Sequence, residues 1–128
     1  MRHRVKTNKL NRYAKHRNAL LSNLARSVFE EESIITTTAK AKTVRPLVEK
    51  IITKAKEASS TDVPERKMAL SREINKYFND RKLVQKIVNE IGPRYATRNG
   101  GYTRILKIGF RRGDASELSI LQLLPEEK

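Results

Sequence analysis

Beyond Met1, residues 1–12 carry only Val5 and Leu10 as large apolar side chains. With no face to bury, this stretch reads as an extended arm, disordered until it meets its partner. From about Lys15 the pattern changes. Leu20, Leu21, Leu24, Ala25, Val28 and Phe29 recur at three- and four-residue spacing, which is one face of a helix. Glu30, Glu31 and Glu32 then sit badly at the negative end of the helix dipole, with Arg26 four residues ahead of Glu30 to offset part of the cost. Ser33 to Thr38 is dense in β-branched residues and predicts a short strand, with Thr38 able to cap the next helix. That second helix is expected from about Ala39 to Ala58, with the stripe Val44, Leu47, Val48, Ile51, Ile52 and Ala55. Pro46 lies inside it, so either the helix kinks there or it begins near Thr43. Asp62, with Glu65 three residues on and Pro64 between, reads as the cap of a third helix carrying Met68, Leu70, Ile74, Tyr77 and Phe78. Asn79-Asp80 breaks it. Asp80 caps a fourth helix, with Leu83, Val84, Ile87, Val88 and Ile91, and Gly92-Pro93 is expected to end that one.

A loop from Arg94 to Tyr102 leads to a strand, Thr103 to Phe110. A turn, Arg111 to Asp114, leads to another, Glu117 to Leu124, and the two should form an antiparallel hairpin. The order α-β-α-α-α-β-β predicts an α+β, two-layer fold, with three short strands and helices packed on one face. At 128 residues the chain fits one core. The expected organisation is a basic arm over 1–14, a single domain over 15–124 and a frayed tail over 125–128.

Charge adds what periodicity does not. The net charge is +14. Residues 1–26 contribute +8 with no acid before Glu30, residues 27–91 only +3, residues 92–114 +5, and residues 115–128 −2. Uncompensated cations concentrated at the two ends of the fold predict a polyanionic partner, and nucleic acid is the commonest. In the arm, Arg2, Arg4, Lys6, Lys9 and Arg12 suit phosphates, while His3 and Asn11 can bond base edges or 2′-hydroxyls. Lys15, His16 and Arg17 extend the set into the first helix. The second cluster interleaves Arg94, Arg98 and Arg104 with Tyr95, Tyr102 and the pair Gly100-Gly101. Glycines let a backbone approach phosphate, and tyrosines either stack on unpaired bases or pack on the core. Arg111 and Arg112 add weaker candidates in the hairpin turn.

Other chemistries find little support. The chain has no cysteine, which removes thiolate metal sites and disulfides. His3 and His16 stand thirteen positions apart with no nearby carboxylate, so neither a metal nor a cofactor is expected. Asp62 and Asp80 are read as helix caps and Glu49 and Glu73 as solvent-facing, leaving no catalytic pair. No apolar run is long enough for a bilayer, and no secretory signal follows the basic start; a mitochondrial presequence shares its Arg-rich, acid-poor character. Rival readings are a DNA-binding architectural protein, which needs a groove-reading helix, a small RNA-processing enzyme, which needs a base or metal, and a basic protein-interaction module.

Met1-Arg2-His3-Arg4, Leu10-Asn11-Arg12 and His16-Arg17 resemble the opening of the family of bacterial large-subunit ribosomal protein seventeen. So does Thr37-Thr38-Ala39-Lys40-Ala41-Lys42 through Arg45. The likeness continues in Gly92-Pro93-Arg94, Arg98, Gly100-Gly101-Tyr102-Thr103-Arg104-Ile105 and Gly113-Asp114. It runs in register from Met1 to about Leu124. The resemblance implies a cytoplasmic, non-enzymatic component of the large ribosomal subunit that binds its large RNA, beside other ribosomal proteins near the peptide exit tunnel. It implies an RNA-facing arm of Arg2, His3, Arg4, Leu10, Asn11, Arg12, His16 and Arg17. Arg94, Arg98, Gly100, Gly101, Tyr102 and Arg104 form the second contact region on the same basis. Val5-Lys6-Thr7-Asn8 departs from the Gly-containing stretch of the family, and Tyr13-Ala14-Lys15 from its Ser- and Thr-like one.

Overall fold

The computed structural model describes His3 and residues 8–126. Arg2, Arg4 and Lys6 of the arm, and 127–128 of the tail, lie outside the described residues. The elements follow the expected order: α1 (Ala14–Glu31), β1 (Ser33–Thr37), α2 (Thr38–Ser60), α3 (Pro64–Phe78), α4 (Arg81–Lys86), β2 (Thr103–Phe110) and β3 (Glu117–Leu123). The strands form one antiparallel sheet in the order β1-β3-β2. The last strand to be made is therefore the central one. Its inner residue Leu121 is flanked by Ile34 and Ile105, and that row faces the helices.

Helix α2 is the spine. Ala41, Val44, Val48, Ile51, Ile52, Ala55 and Ala58 are buried along it, and it packs against α1, α3 and all three strands. Each fully buried isoleucine there contributes on the order of 1.5–3 kcal/mol. Phe29 of α1 meets Phe78 of α3 edge-on at 5.9 Å, closing the core at the far end.

Several local expectations change. Thr37, not Thr38, caps α2, accepting a hydrogen bond from the Lys40 N–H. The helix runs unbroken through Pro46. Pro46 and Lys42 are both exposed, so water can satisfy the carbonyl that loses its donor. Asp62 is exposed and caps nothing: Val63 holds the cap position of α3, with Pro64 in the first turn, and the carboxylate falls one residue too early. Asp80 does cap α4, its Oδ1 accepting from the Lys82 and Leu83 N–H groups. Asn79 ends α3 in the left-handed conformation. Met68 and Tyr77, expected in the core, are exposed, because α3 buries only the stripe Leu70, Ile74 and Phe78.

Gly92-Pro93 does not stop the chain's helical course. After α4 the backbone widens into a π turn over Ile87–Ile91, with the Gly92 N–H bonded to the Ile87 carbonyl, then closes with α5 (Gly92–Arg94). Widening the ladder is a recognised way to pass a residue that has no N–H to give. Gly92 serves a second purpose. A Cβ there would lie 2.6 Å from the Ala55 carbonyl oxygen of α2, so its bare backbone permits the close crossing of α2.

Candidate nucleic-acid interface

The described part of the arm is turned rather than extended. Leu10 and Asn11 both adopt left-handed backbone, with φ of 52° and 56°. Asn tolerates that region; Leu rarely enters it without being held. The hold is visible: the Arg12 N–H donates to the Lys9 carbonyl at 3.1 Å, and Arg12 Nη1 donates to the Leu10 carbonyl at 2.8 Å. Asn8 Nδ2 donates to Thr43 Oγ1 of α2 at 3.2 Å. The turn aims the chain into α1, where the exposed Tyr13 ring lies 5.8 Å from that of His16. His3, Lys9, Asn11, Lys15 and His16 are exposed, and Arg12 and Arg17 half-buried. Among the described residues, Lys9, Lys15 and Arg17 pair with no carboxylate.

The second cluster is tied into the fold. Arg94 Nη2 meets Glu32 Oε1 at 2.7 Å. That bond, foremost, holds the Glu32 carboxyl below its ordinary range and raises Arg94. Tyr95 and Tyr102 are 1% and 4% exposed, their rings 5.2 Å apart. Stacking of either tyrosine on a base therefore gives way to packing, and Tyr102 enters the site as an anchor. The Tyr95 hydroxyl donates to the Leu124 carbonyl at 2.6 Å, and burial pushes its pKa up. Burial acts the same way on Tyr102. There it is outweighed by hydrogen bonds from Lys56, the Gly100 backbone and Thr53, so the phenol is lowered.

Lys56 of α2 is the residue that the sequence pattern gave no reason to select. Its Nζ donates to the Arg98 carbonyl at 2.5 Å and to the Tyr102 hydroxyl at 3.0 Å. No spacing rule links partners 42 and 46 positions apart. Thr97, Asn99, Gly100 and Gly101 remain at the loop tip, all exposed. Gly100 and Gly101 have φ of +84° and +63°, and a Cβ on either would meet nothing within 4 Å. Conformation, not crowding, calls for glycine there. Arg98 Nη1 reaches back to the Gly101 carbonyl at 3.4 Å, closing the loop on itself.

Helix α2 links the two regions. Asn8 touches it at Thr43, and two residues on, Arg45 Nη2 donates to the Thr103 carbonyl at 3.4 Å. Glu49, expected to face solvent, instead accepts from Thr103 Oγ1 at 3.0 Å and pairs with Arg45 at 3.6 Å. Thus Lys9, Asn11 and Arg12 and the start of β2 with Arg104 are both fastened to the first half of α2. Arg111 and Arg112 stand apart in the hairpin turn. Asp114 takes both Arg111 Nε and Nη2, at 3.2 and 2.6 Å, and is held well below the usual carboxylate range. Arg112 is exposed and has no ion pair among the described residues. Among those residues no group of three metal-ligating side chains converges, and no helix is long and apolar enough to cross a membrane.

Residues 20–124 match the family model described as ribosomal protein L17. The chain is 82% identical to large ribosomal subunit protein bL17 of Petrotoga mobilis, over 128 residues and the whole of both chains. It is 58% identical to the bL17 protein of Kosmotoga olearia, covering 97% of this chain and 93% of that one. With the Thermotoga maritima bL17 protein the identity is 52%, over 97% and 95% of the two chains.

Proposed function

The chain belongs to the ribosomal protein L17 family, and from that premise we propose that it grips large-subunit ribosomal RNA at two places fastened to one helix. It is a structural protein of the bacterial large ribosomal subunit. In the proposed reading the arm and the start of α1 supply the larger share of the charge: Arg2, His3, Arg4, Lys6, Lys9, Asn11, Arg12, Lys15, His16 and Arg17. They thread between RNA helices, screen phosphate repulsion and fix the helices' relative placement. The loop 96–101, with Arg98 and Arg104 beside it, offers a second surface, where glycines without a Cβ let the backbone come close to phosphate. Arg112 extends it toward the hairpin turn. The folded unit 15–124 is the platform, and it sits beside other ribosomal proteins near the peptide exit tunnel. No step of this role requires catalysis.

The observation that carries the reading is the separation of charge: +8 over residues 1–26 and +5 over 92–114 against +3 in the longer middle. Phosphate neutralisation releases counterions, so salt is the test. With six to ten phosphate contacts, affinity for the large-subunit RNA should fall about 10³–10⁵-fold between 50 and 200 mM salt, taking duplex DNA as the guide. Filter binding or fluorescence anisotropy measures it. A flat response overturns the proposal.

A further inference from the structure

The stretch 27–91, with a net charge of only +3, contains a groove whose charge is all of one sign. Helix α3 on one side, and α4 with the π turn on the other, enclose an open cleft of about 630 Å³. Lys67 and Arg72 stand on the α3 side and Arg81 on the α4 side, with Met68, Val84 and Val88 between them. No carboxylate lines the cleft. Asp80 is taken by Arg26 and Glu73 by Lys54, while Glu65 and Glu90 lie on the same elements but outside the lining. Lys67, Arg72 and Arg81 are exposed and have no ion pair among the described residues. Val84 and Val88 are spaced one helical turn apart, so their uncovered edges and Met68, which is 55% exposed, give the cleft an apolar floor. None of these residues belongs to 1–26 or to 92–114.

An occupant must answer both the cations and the floor. RNA answers only the first: a floor of Met and Val gives phosphates no charge, and no aromatic ring lines the cleft to stack on a base. A second copy brings another +14 chain and is opposed by charge. An amphipathic helix with acidic flanks answers both. Its apolar stripe lies along the floor, where an unbranched methionine adapts to its shape, and its carboxylates reach the cations on the two sides. We infer that the α3–α4 groove docks an acidic amphipathic helix of a protein that is not a component of the large subunit. The last clause rests on the RNA reading above. Proteins laid against RNA carry net positive charge, as this chain does, so an acidic partner is one met outside that packing. The surface and its chemistry stand without that reading.

A synthetic peptide of glutamate, leucine and alanine, about five helical turns long with its leucines on one face, probes the groove in the purified full-length chain. By fluorescence anisotropy it should bind about tenfold tighter than a peptide of the same composition whose leucines are spread around the helix. Equal affinity would mean that charge alone is read, and overturns the proposal. The paired change Arg72→Gln with Arg81→Gln, both at exposed positions, should weaken probe binding about tenfold. Melting temperature should hold, and affinity for ribosomal RNA should stay within about threefold. Undiminished probe binding overturns the proposal, and so does an equal loss of RNA affinity, which would give the groove to RNA. In cells, a photoreactive benzoylphenylalanine in place of Met68 should join to an acidic helical segment of a protein outside the subunit. A synthetic copy of that segment should displace the probe. An adduct confined to RNA, to subunit proteins or to a second copy, no adduct, or a segment that fails to displace the probe overturns the proposal. The salt dependence of RNA binding is measured separately, so the RNA reading and this inference fail on different data.

Discussion

In residues 8–17 the cations Lys9, Lys15 and Arg17 have no carboxylate partner among the described residues, whereas in 92–104 Arg94 is clamped on Glu32 and both tyrosines are buried. Both stretches carry several cations and no acidic residue. One presents its charge and contributes little to the core; the other spends part of its polar chemistry on holding a loop. A run of cations without acids is therefore not a single signal. Both regions touch α2, the arm through Asn8 and Thr43; what separates them is that Lys56 and Glu32 engage the tyrosine and arginine side chains and the loop backbone of the second region, while the arm's cations have no such partner among the described residues.

The sharpest way to test that contrast is Tyr95→Ala. It removes a buried ring and its bond to Leu124 and should cost about 3–5 kcal/mol of stability, read by urea unfolding. Tyr95→Phe should cost only about 1 kcal/mol. If Tyr95→Ala leaves the unfolding midpoint in place, the tyrosine pair is not an anchor. Deleting residues 1–12 should do the reverse: affinity for ribosomal RNA falls about 10–100-fold and the salt slope shrinks by about one for each lost phosphate contact. The melting temperature should stay within a degree or two of the full chain's. A large drop in it would put the arm in the core and erase the comparison.

Gly92→Ala places a methyl 2.6 Å from the Ala55 carbonyl oxygen. Such overpacking against backbone should cost about 1–3 kcal/mol, measured by thermal or chemical unfolding. It would weaken RNA binding only as far as the loop beyond Arg94 shifts. The smallest effect belongs to the Glu32–Arg94 pair. The folded-state pKa of Glu32 is lowered from the ordinary 4.5 by the Arg94 hydrogen bond. Its stabilisation is therefore complete above that ordinary value and lost as pH falls through the lower, folded one. Because Glu32 is partly exposed, screening should keep the loss below about 1 kcal/mol. Comparing Glu32→Gln with the unmodified chain from pH 7 to pH 3 checks the sign, since the difference should shrink on acidification.

Much of the fold was legible because it is written in local spacing. The stripes of α1 and α2 follow from side chains that repeat every three to four residues, and the Asp80 cap from a carboxylate placed directly before the first turn of α4. The misreadings share a cause. Asp62 has the chemistry of a cap but stands one residue away from the position that uses it, and Gly92-Pro93 has the chemistry of a stop but lies where α2 needs a close neighbour. Met68 and Tyr77 fit a helical stripe whose outer edge no element covers. In each case the local pattern was right about residue type and blind to what the rest of the chain brings alongside.

The amino-acid order by itself determined where the cations fall, which segments are helical and which are extended. Those features depend on neighbours within a few positions or on simple charge addition. Tertiary structure alone decided that β3 lies between β1 and β2, that Tyr95 and Tyr102 face inward, and that Lys56 holds the loop from 42 and 46 positions away. It also left Ile35 and Leu106 exposed on the sheet. Contacts of that range carry no local periodicity, because they are selected by the shape into which already formed elements can pack.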